Sequence, residues 1–443
     1  MYHFNGDVRQ PVRVYLINDS LSQNNWGCRA TTHAMHALVK AEGGHIFDTL
    51  KLASLEGRRS TPLEPGVRDV AKQWLLRYPA MRARIRTAYD AGKRLAGGQN
   101  TTPRTRKDFD ALADRIERGT MFRTELDAMR LADLVMINGE GSIYNDQRKG
   151  FYSLFWAYFS KTRLKKPTVI VNHTLQLDHP EMFDLAQLVY PLMDDVIFRE
   201  PASLREGQKI APYSESHLAA DAAFRWRPAV KEAFVERYDR PGAFDIWPWS
   251  MKGFDLRKPY ICVTGSSALL RPDDPGEPPR GVFIELCKRL MKMAQVVVVA
   301  PDTTDEILLA PVARKLGLPF IPACTPTPIG LDLLANAAVF VSGRWHPSIL
   351  ASTGGTPSVM FSGNSHKMRG LAEILDLPYS GIAAKDLAEH LHEIVASVDG
   401  FLTGGEAVRN RVGQQAKDLA QAAKLNVRYM TKMAEDRQSM DGA

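Results

Sequence analysis

The sequence predicts an α/β protein of two doubly wound, Rossmann-like parallel-sheet domains, followed by a long C-terminal helix. Three observations predict it. Short apolar runs rich in Val and Ile alternate with amphipathic helical stretches. The runs are apolar throughout rather than at every second residue, as strands covered on both faces are. The alternation occurs twice along 443 residues, a length that exceeds one ordinary core and suits two.

In the first half the apolar runs are Val12–Asn18, Asp133–Asn138, Thr168–Asn172 and Val196–Arg199. Helices are expected over Cys28–Ala41, Lys149–Thr162, Glu181–Leu192 and Pro201–Glu206. In the second half the runs are Tyr260–Thr264, Val296–Ala300, Val339–Ser342 and Ser358–Phe361. Their helices are Val282–Met293, Asp305–Leu316, Pro347–Thr353 and Met368–Leu375. The join falls between Asp239 and Lys258, where Arg240 to Trp249 is irregular and rich in Pro and aromatics. That segment reads either as a linker packed on both domains or as the lining of a cleft. The resulting division is 1–240, 241–405 and a C-terminal helix over 406–443, apolar near one face at Val408, Val412, Leu419, Ala422 and Leu425. Arg94–Lys107 reads as an exposed loop or insertion.

Hydrophobic residues make up 44% and charged residues 24% of the chain, as in a globular protein. Cys28, Cys262, Cys287 and Cys324 are scattered, which speaks against a disulfide framework or a zinc site and fits a reducing cytoplasm. The first residues lack the basic-then-apolar run of a signal peptide, and no apolar stretch reaches the roughly 18–20 residues that span a bilayer. The expected location is cytoplasmic. Peripheral contact with the inner face of a membrane stays open. The net charge of +7 favours anionic partners. Nucleic acid is not expected, because the basic residues are dispersed and no nucleic-acid-binding signature is present. Asp108-Phe109-Asp110 reads as a helix N-terminus, so no metal site is expected.

Ligands of open parallel sheets bind where strands end and loops enter helices. After the first run come Asn24-Asn25-Trp26-Gly27, which form either a polar-ligand loop or an ordinary capped turn. After the second come Gly139-Glu140-Gly141. The glycines let the backbone approach a ligand, with Glu140 as an acid/base or hydroxyl partner; the other reading is a tight turn with an exposed Glu. His173 ends the third run and is either a proton carrier or a satisfied buried residue. Arg199 ends the fourth and either grips an anion or makes a structural ion pair. The densest cluster is Gly343-Arg344-Trp345-His346, followed by Gly354-Gly355-Thr356-Pro357 and then Asn364-Ser365-His366-Lys367. It combines fixed cations, an imidazole and tight turns beside successive strand ends.

At these residues the sequence resembles the polysaccharide pyruvyl transferase family. The likeness runs through Asn138-Gly139-Glu140-Gly141, Arg199-Glu200-Pro201-Ala202-Ser203 and Ala220-Asp221-Ala222-Ala223-Phe224. It is clearest from Ser342-Gly343-Arg344-Trp345-His346 through Lys367. The first loop lacks the Asp that the family usually carries there. The resemblance implies a GT-B-like fold, with two domains facing a cleft. It also implies transfer of a pyruvyl group from phosphoenolpyruvate to two hydroxyls of a polysaccharide or lipid-linked glycan, forming a ketal without a cofactor. On this reading the acid/base groups are His346 and His173, with Glu140 and Asp221 in reserve. Arg344, Arg199, Lys367, Gly343, Asn364 and Ser365 bind the donor on the second-domain side. Asn24, Asn25, Trp26, Gly139 and Gly141 face the acceptor. Two readings compete: a GT-B glycosyltransferase using a nucleotide sugar, and a non-catalytic glycan-binding relative. Against the latter, a binding module has no need of an imidazole beside two cations.

Overall fold

The computed structural model describes residues 10–55, 102–144, 146–239, 254–269, 278–363 and 365–441. The Pro/Trp-rich junction, the domain boundary at 240/241, the segment 94–101 and Asn364 lie outside the described residues.

The first sheet is β1 (Val12–Ile17), β2 (Gly44–Leu50), β3 (Leu134–Tyr144), β4 (Thr168–Gln176), β5 (Asp195–Phe198) and β6 (Ser216–Leu218). Its spatial order is β2-β1-β3-β4-β5-β6 and every pairing is parallel. The second sheet is β7 (Tyr260–Ser266), β8 (Gln295–Val299), β9 (Phe320–Ile321), β10 (Val339–Gly343) and β11 (Ser358–Met360). Its order is β11-β10-β7-β8-β9, again all parallel. Strand order reverses between β1 and β3 in one sheet and between β7 and β10 in the other. Those are the two positions where a doubly wound sheet opens a crevice.

Both faces of each sheet are covered. Along β1 and β3, Tyr15, Ile17, Val135 and Ile137 enter one core, and Val14, Leu16, Leu134 and Met136 enter another. In the second sheet Ile261, Val263, Val339 and Val341 face one side, and Tyr260, Cys262 and Phe340 the other. This two-sided burial is why the strands read as unbroken apolar runs. Strands β2, β6 and β9, all at sheet edges, escaped the sequence reading. They are short or half exposed and carry little apolar signal.

The helices used below are α1 (Trp26–Ala41), α2 (Leu52–Leu55), α3 (Arg106–Glu117), α4 (Arg123–Leu131), α5 (Arg148–Thr162), α6 (Pro180–Val189), α7 (Pro201–Ile210), α8 (Lys231–Tyr238), α9 (Arg280–Leu290), α10 (Thr303–Leu316), α11 (Thr327–Ala335), α12 (Trp345–Ser352), α13 (Lys367–Ile374), α14 (Leu391–Ala422) and α15 (Arg428–Asp441). Thr105 and Asp108 form a capping box at the start of α3, the role expected of the Asp108-Phe109-Asp110 motif. The C-terminal helix departs from a single rod over 406–443. A non-helical Gly405 breaks α14, and a 3-10 stretch, Ala423–Val427, separates it from α15. Ile394 and Val398 pack in the second-sheet core, whereas Val427 and Met430 pack on the first. The segment thus runs from one domain back to the other. Among the described residues no helix is long and apolar enough to cross a membrane.

The loop before α1 also bridges the domains. Trp26 inserts its indole into the second-domain core, against Gly330, and donates from Nε1 to the Ala323 carbonyl at 3.0 Å. Asn25 caps α1 and donates to Asp302 at 2.8 Å. Arg29 donates to the carbonyls of Ala323 and Thr325. Trp26→Ala is expected to lower the unfolding free energy by about 3–5 kcal/mol, read by urea denaturation. A loss below about 1 kcal/mol would show that the indole does not anchor the second domain.

Candidate active site

The two switch points face each other across a cavity of about 190 Å³. The first domain contributes Asn25, Cys28, Glu140, Gly141 and Arg199 to its walls. The second contributes Ser267, Asp302, Arg344, His346 and Lys367. These residues come from at least six separate strand ends and helix starts. Only the sheet topology brings them together.

Arg344 and His346 sit at the turn where β10 enters α12. Asp221, fully buried, lies just beyond β6 and receives that turn. Its Oδ2 accepts from Arg199 Nη1 at 2.6 Å and Trp345 Nε1 at 3.0 Å, and lies 3.3 Å from His346 Nε2. Its Oδ1 accepts from the Ala223 amide and from Thr31. Burial alone would raise its pKa. His346 and Arg199 outweigh burial and hold the carboxyl well below the usual carboxylate range. His346 Nε2 also lies 3.3 Å from Arg199 Nη1. One ring nitrogen therefore faces both a fixed acceptor and a fixed donor. The imidazole fits against Gly27, where an added Cβ would come within 2.3 Å of His346 Nδ1.

The two arginines are built alike. Arg199 gives Nε to Thr174 and Nη1 to Asp221, and its guanidinium stacks over Trp345 at 4.8 Å. Arg344 gives Nη2 to Asp305 at 2.9 Å and to Thr304 at 2.8 Å, and Nε to Asp305 at 3.2 Å. Burial lifts the Asp305 carboxyl to about 6 against the pull of Arg344. Both guanidinia are thereby oriented by buried carboxylates. Among the described residues, Arg199 Nη2 and Arg344 Nη1 carry no hydrogen bond, and Arg199 Nη2 faces Gly141.

Glu140 belongs to a strand rather than a loop. Strand β3 continues past Asn138 to Tyr144, with its pairing to β4 shifted between Glu140 and Ile143. Glu140 itself is left-handed at φ 43°. Its Oε1 accepts from Ser20 at 2.7 Å and from Asn138 Nδ2 at 3.1 Å, and Cys28 Sγ lies 3.8 Å from Oε2. Burial, reinforced by Glu140, pushes the Cys28 thiol up to about 12, which favours the neutral thiol near pH 7.

Several expected site residues lie elsewhere. His173 is fully buried behind Gly139, bonded to the Tyr190 hydroxyl at 2.6 Å and stacked on Phe198. It sits in the core, the buried alternative for this residue, and lines no part of the cavity. Trp26 and Asn25 are interdomain anchors, although Asn25 also touches the cavity. Gly139 and Gly343 permit close packing, against His173 and against Ser266 and Phe361. Asn24 and Ser365 are half-buried and outside the cavity lining. Sequence reasoning missed Asp302 and Asp305, although both follow the end of β8, where the strand-end rule would have pointed. Among the described residues no group of His, Cys, Asp or Glu is placed to hold a metal ion.

Solved structures of the same architecture are numerous. A Listeria monocytogenes structure designated a UDP-N-acetylglucosamine 2-epimerase aligns at TM-score 0.53 and 12% identity, covering 96% of this chain and 98% of that one. An α,α-trehalose 6-phosphate synthase from Burkholderia multivorans aligns at TM-score 0.52 and 10% identity, over 98% and 99% of the two chains. A UDP-GlcNAc 2-epimerase from Neisseria meningitidis, bound to UDP-GlcNAc, aligns at 0.50 and 10%, over 95% and 100%. At such identities the likeness carries the fold alone: two Rossmann-like domains of the GT-B type. No curated protein matches the sequence. A profile of the family described as polysaccharide pyruvyl transferase matches residues 63–365. The chain belongs to that family and is a transferase.

The buried imidazole has a consequence for acid stability. Burial, with Arg199 nearby, pushes His173 down to about 3 from its ordinary 6.5. The unfolded chain then takes up a proton that the folded one refuses. The stability that neutral His173 contributes is complete above pH 6.5 and lost as pH falls toward 3. The unfolding free energy, measured in urea between pH 7 and 4, is expected to fall more steeply in the wild type than in His173→Gln. Equal slopes would show that His173 is protonated in the folded protein.

Proposed function

We propose that the protein transfers the pyruvyl group of phosphoenolpyruvate to two hydroxyls of a sugar, in a surface polysaccharide or its lipid-linked precursor, closing a cyclic ketal. The observation that carries this reading is the paired guanidinia. Arg199 and Arg344 are each locked on one side by a buried carboxylate, both line one cavity, and among the described residues each has a terminal nitrogen with no hydrogen bond. His346 lies between the two domains in the same wall, and Lys367 adds a cation. Fixed forks of this kind suit a small ligand bearing both a phosphate and a carboxylate. The family match supports the pyruvyl chemistry.

In the proposed reaction His346 protonates the methylene carbon of phosphoenolpyruvate. The alkene electrons form the new C–H bond, leaving an oxocarbenium-like C2. The first sugar hydroxyl adds to C2 and gives its proton to Glu140. Phosphate then leaves with the C–O bonding pair and takes that proton. The second hydroxyl closes on C2, and its proton returns to His346. Asp221 and Arg199 give the ring a partner in either protonation state, so it keeps its place throughout.

The test incubates purified protein with phosphoenolpyruvate, or separately with nucleotide sugars, and a panel of glycan acceptors. Phosphate release, together with an acceptor carrying the mass of a pyruvyl ketal, is expected. Turnover with a nucleotide sugar alone would overturn the proposal. His346→Ala should lower kcat by at least about 10²-fold with the fold intact. Gly27→Ala should also lower kcat, because its methyl displaces the imidazole. Near-wild-type rates in both variants would remove His346 from the chemistry.

A further inference from the structure

We propose that Asn172 is a positioning residue that couples Glu140 to Asp221 and, through Asp221, to His346. The proposal rests on the acid/base reading of Glu140 and His346 above. Asn172 is fully buried in the middle of β4, where the pairing with β5 shifts register. Its amide nitrogen Nδ2 makes two hydrogen bonds in opposite directions. One goes to Thr31 Oγ1 at 2.7 Å, and Thr31 in turn donates to Asp221 Oδ1 at 3.2 Å. The other goes to Asn138 Oδ1 at 3.1 Å, and Asn138 Nδ2 donates to Glu140 Oε1 at 3.1 Å. Every donor in both arms points away from Asn172, and each arm ends on a carboxylate oxygen. A carboxamide has the two protons this requires; a carboxylate or an apolar side chain has not. Buried chains of hydrogen bonds polarise one another, so a change of charge at one end is felt at the other.

The backbone is arranged to hold this residue. Asn18, just past β1, and Glu140 and Asn172, at register shifts within the adjacent strands β3 and β4, all have left-handed φ values of 69°, 43° and 55°. Left-handed backbone is disfavoured in non-glycine residues and is retained where the surroundings over-determine it. Asn172 keeps its remaining groups satisfied from two further directions. Its Oδ1 accepts from the Ala222 amide at 3.0 Å, next to Asp221. Its own amide donates to Asn426 at 2.8 Å, in the segment returning from the second domain.

The coupling can be read without turnover, from the titration of His346 followed by NMR of 15N-histidine-labelled protein and assigned with His346→Gln. Charged groups facing His346 are Asp221 and Arg199 in contact, with Glu140, Asp302, Arg344 and Lys367 lining the same cavity. Glu140→Gln is expected to move the His346 midpoint on the order of half a pH unit in the wild-type background. In an Asn172→Gly background the same change should move it less than half as far. Glycine keeps the left-handed backbone and removes only the carboxamide. Thr31→Val, which cuts a single arm, provides the same comparison should Asn172→Gly melt early. Equal shifts in the intact and cut backgrounds would overturn the proposal, and so would the absence of a shift in the wild type. Failure of the pyruvyl reading would appear separately, as absent phosphate release.

Discussion

Asp221 accepts hydrogen bonds from Arg199 at the end of β5, Thr31 in α1 and the Ala223 backbone. From the other domain it receives Trp345 and faces His346. A carboxylate this buried is tolerable only with such a complement of donors. The requirement works in both directions. It fixes the position of the Arg344-Trp345-His346 turn, and the turn in turn completes the shell of Asp221. The relative placement of the two sheets and the orientation of the imidazole are therefore one constraint.

The same logic recurs around the cleft. Glu200 caps α7 through the amides of Ala202 and Ser203, and also meets His366 of the second domain at 3.0 Å. Asp302 caps α10 and receives Asn25 from the first domain. Ionic and polar groups that would ordinarily cap their own helices are thus shared across the interface. Beneath them Phe224, Trp345, Ile349 and Met368 form an apolar cluster with parts from both halves of the chain. Apolar burial brings the domains together, and the shared polar groups select one orientation.

A site built this way is held in place by the chain's own groups. Both arginines are held by carboxylates, Glu140 is held by Ser20 and Asn138, and three neighbouring strands carry a left-handed residue in or just past them. In the proposed reaction, fixed dipoles and charges of this kind would stabilise developing charge without reorganising. The cost is borne by the surrounding fold, in buried charge and in backbone strain.

Much of this was legible in the residues. Continuous Val/Ile runs give parallel covered strands because both faces are buried, and the strand-end rule led to Glu140, Arg199, Arg344, His346 and Lys367. The edge strands β2, β6 and β9 were not legible, since the first two are half exposed and the third has only two residues. Nor was the true extent of β3 and β4, because bulged strands interrupt the pattern that marks them. The sequence by itself determined the two-sheet α/β class and the residue types near each switch point, through local periodicity and chain order. Tertiary structure alone decided which of those residues share a cavity. His173 and His346 both follow apolar runs in the sequence, yet one is sealed behind Gly139 and the other lies in the cleft against Gly27. That difference depends on packing between segments far apart in the chain, which no local pattern encodes.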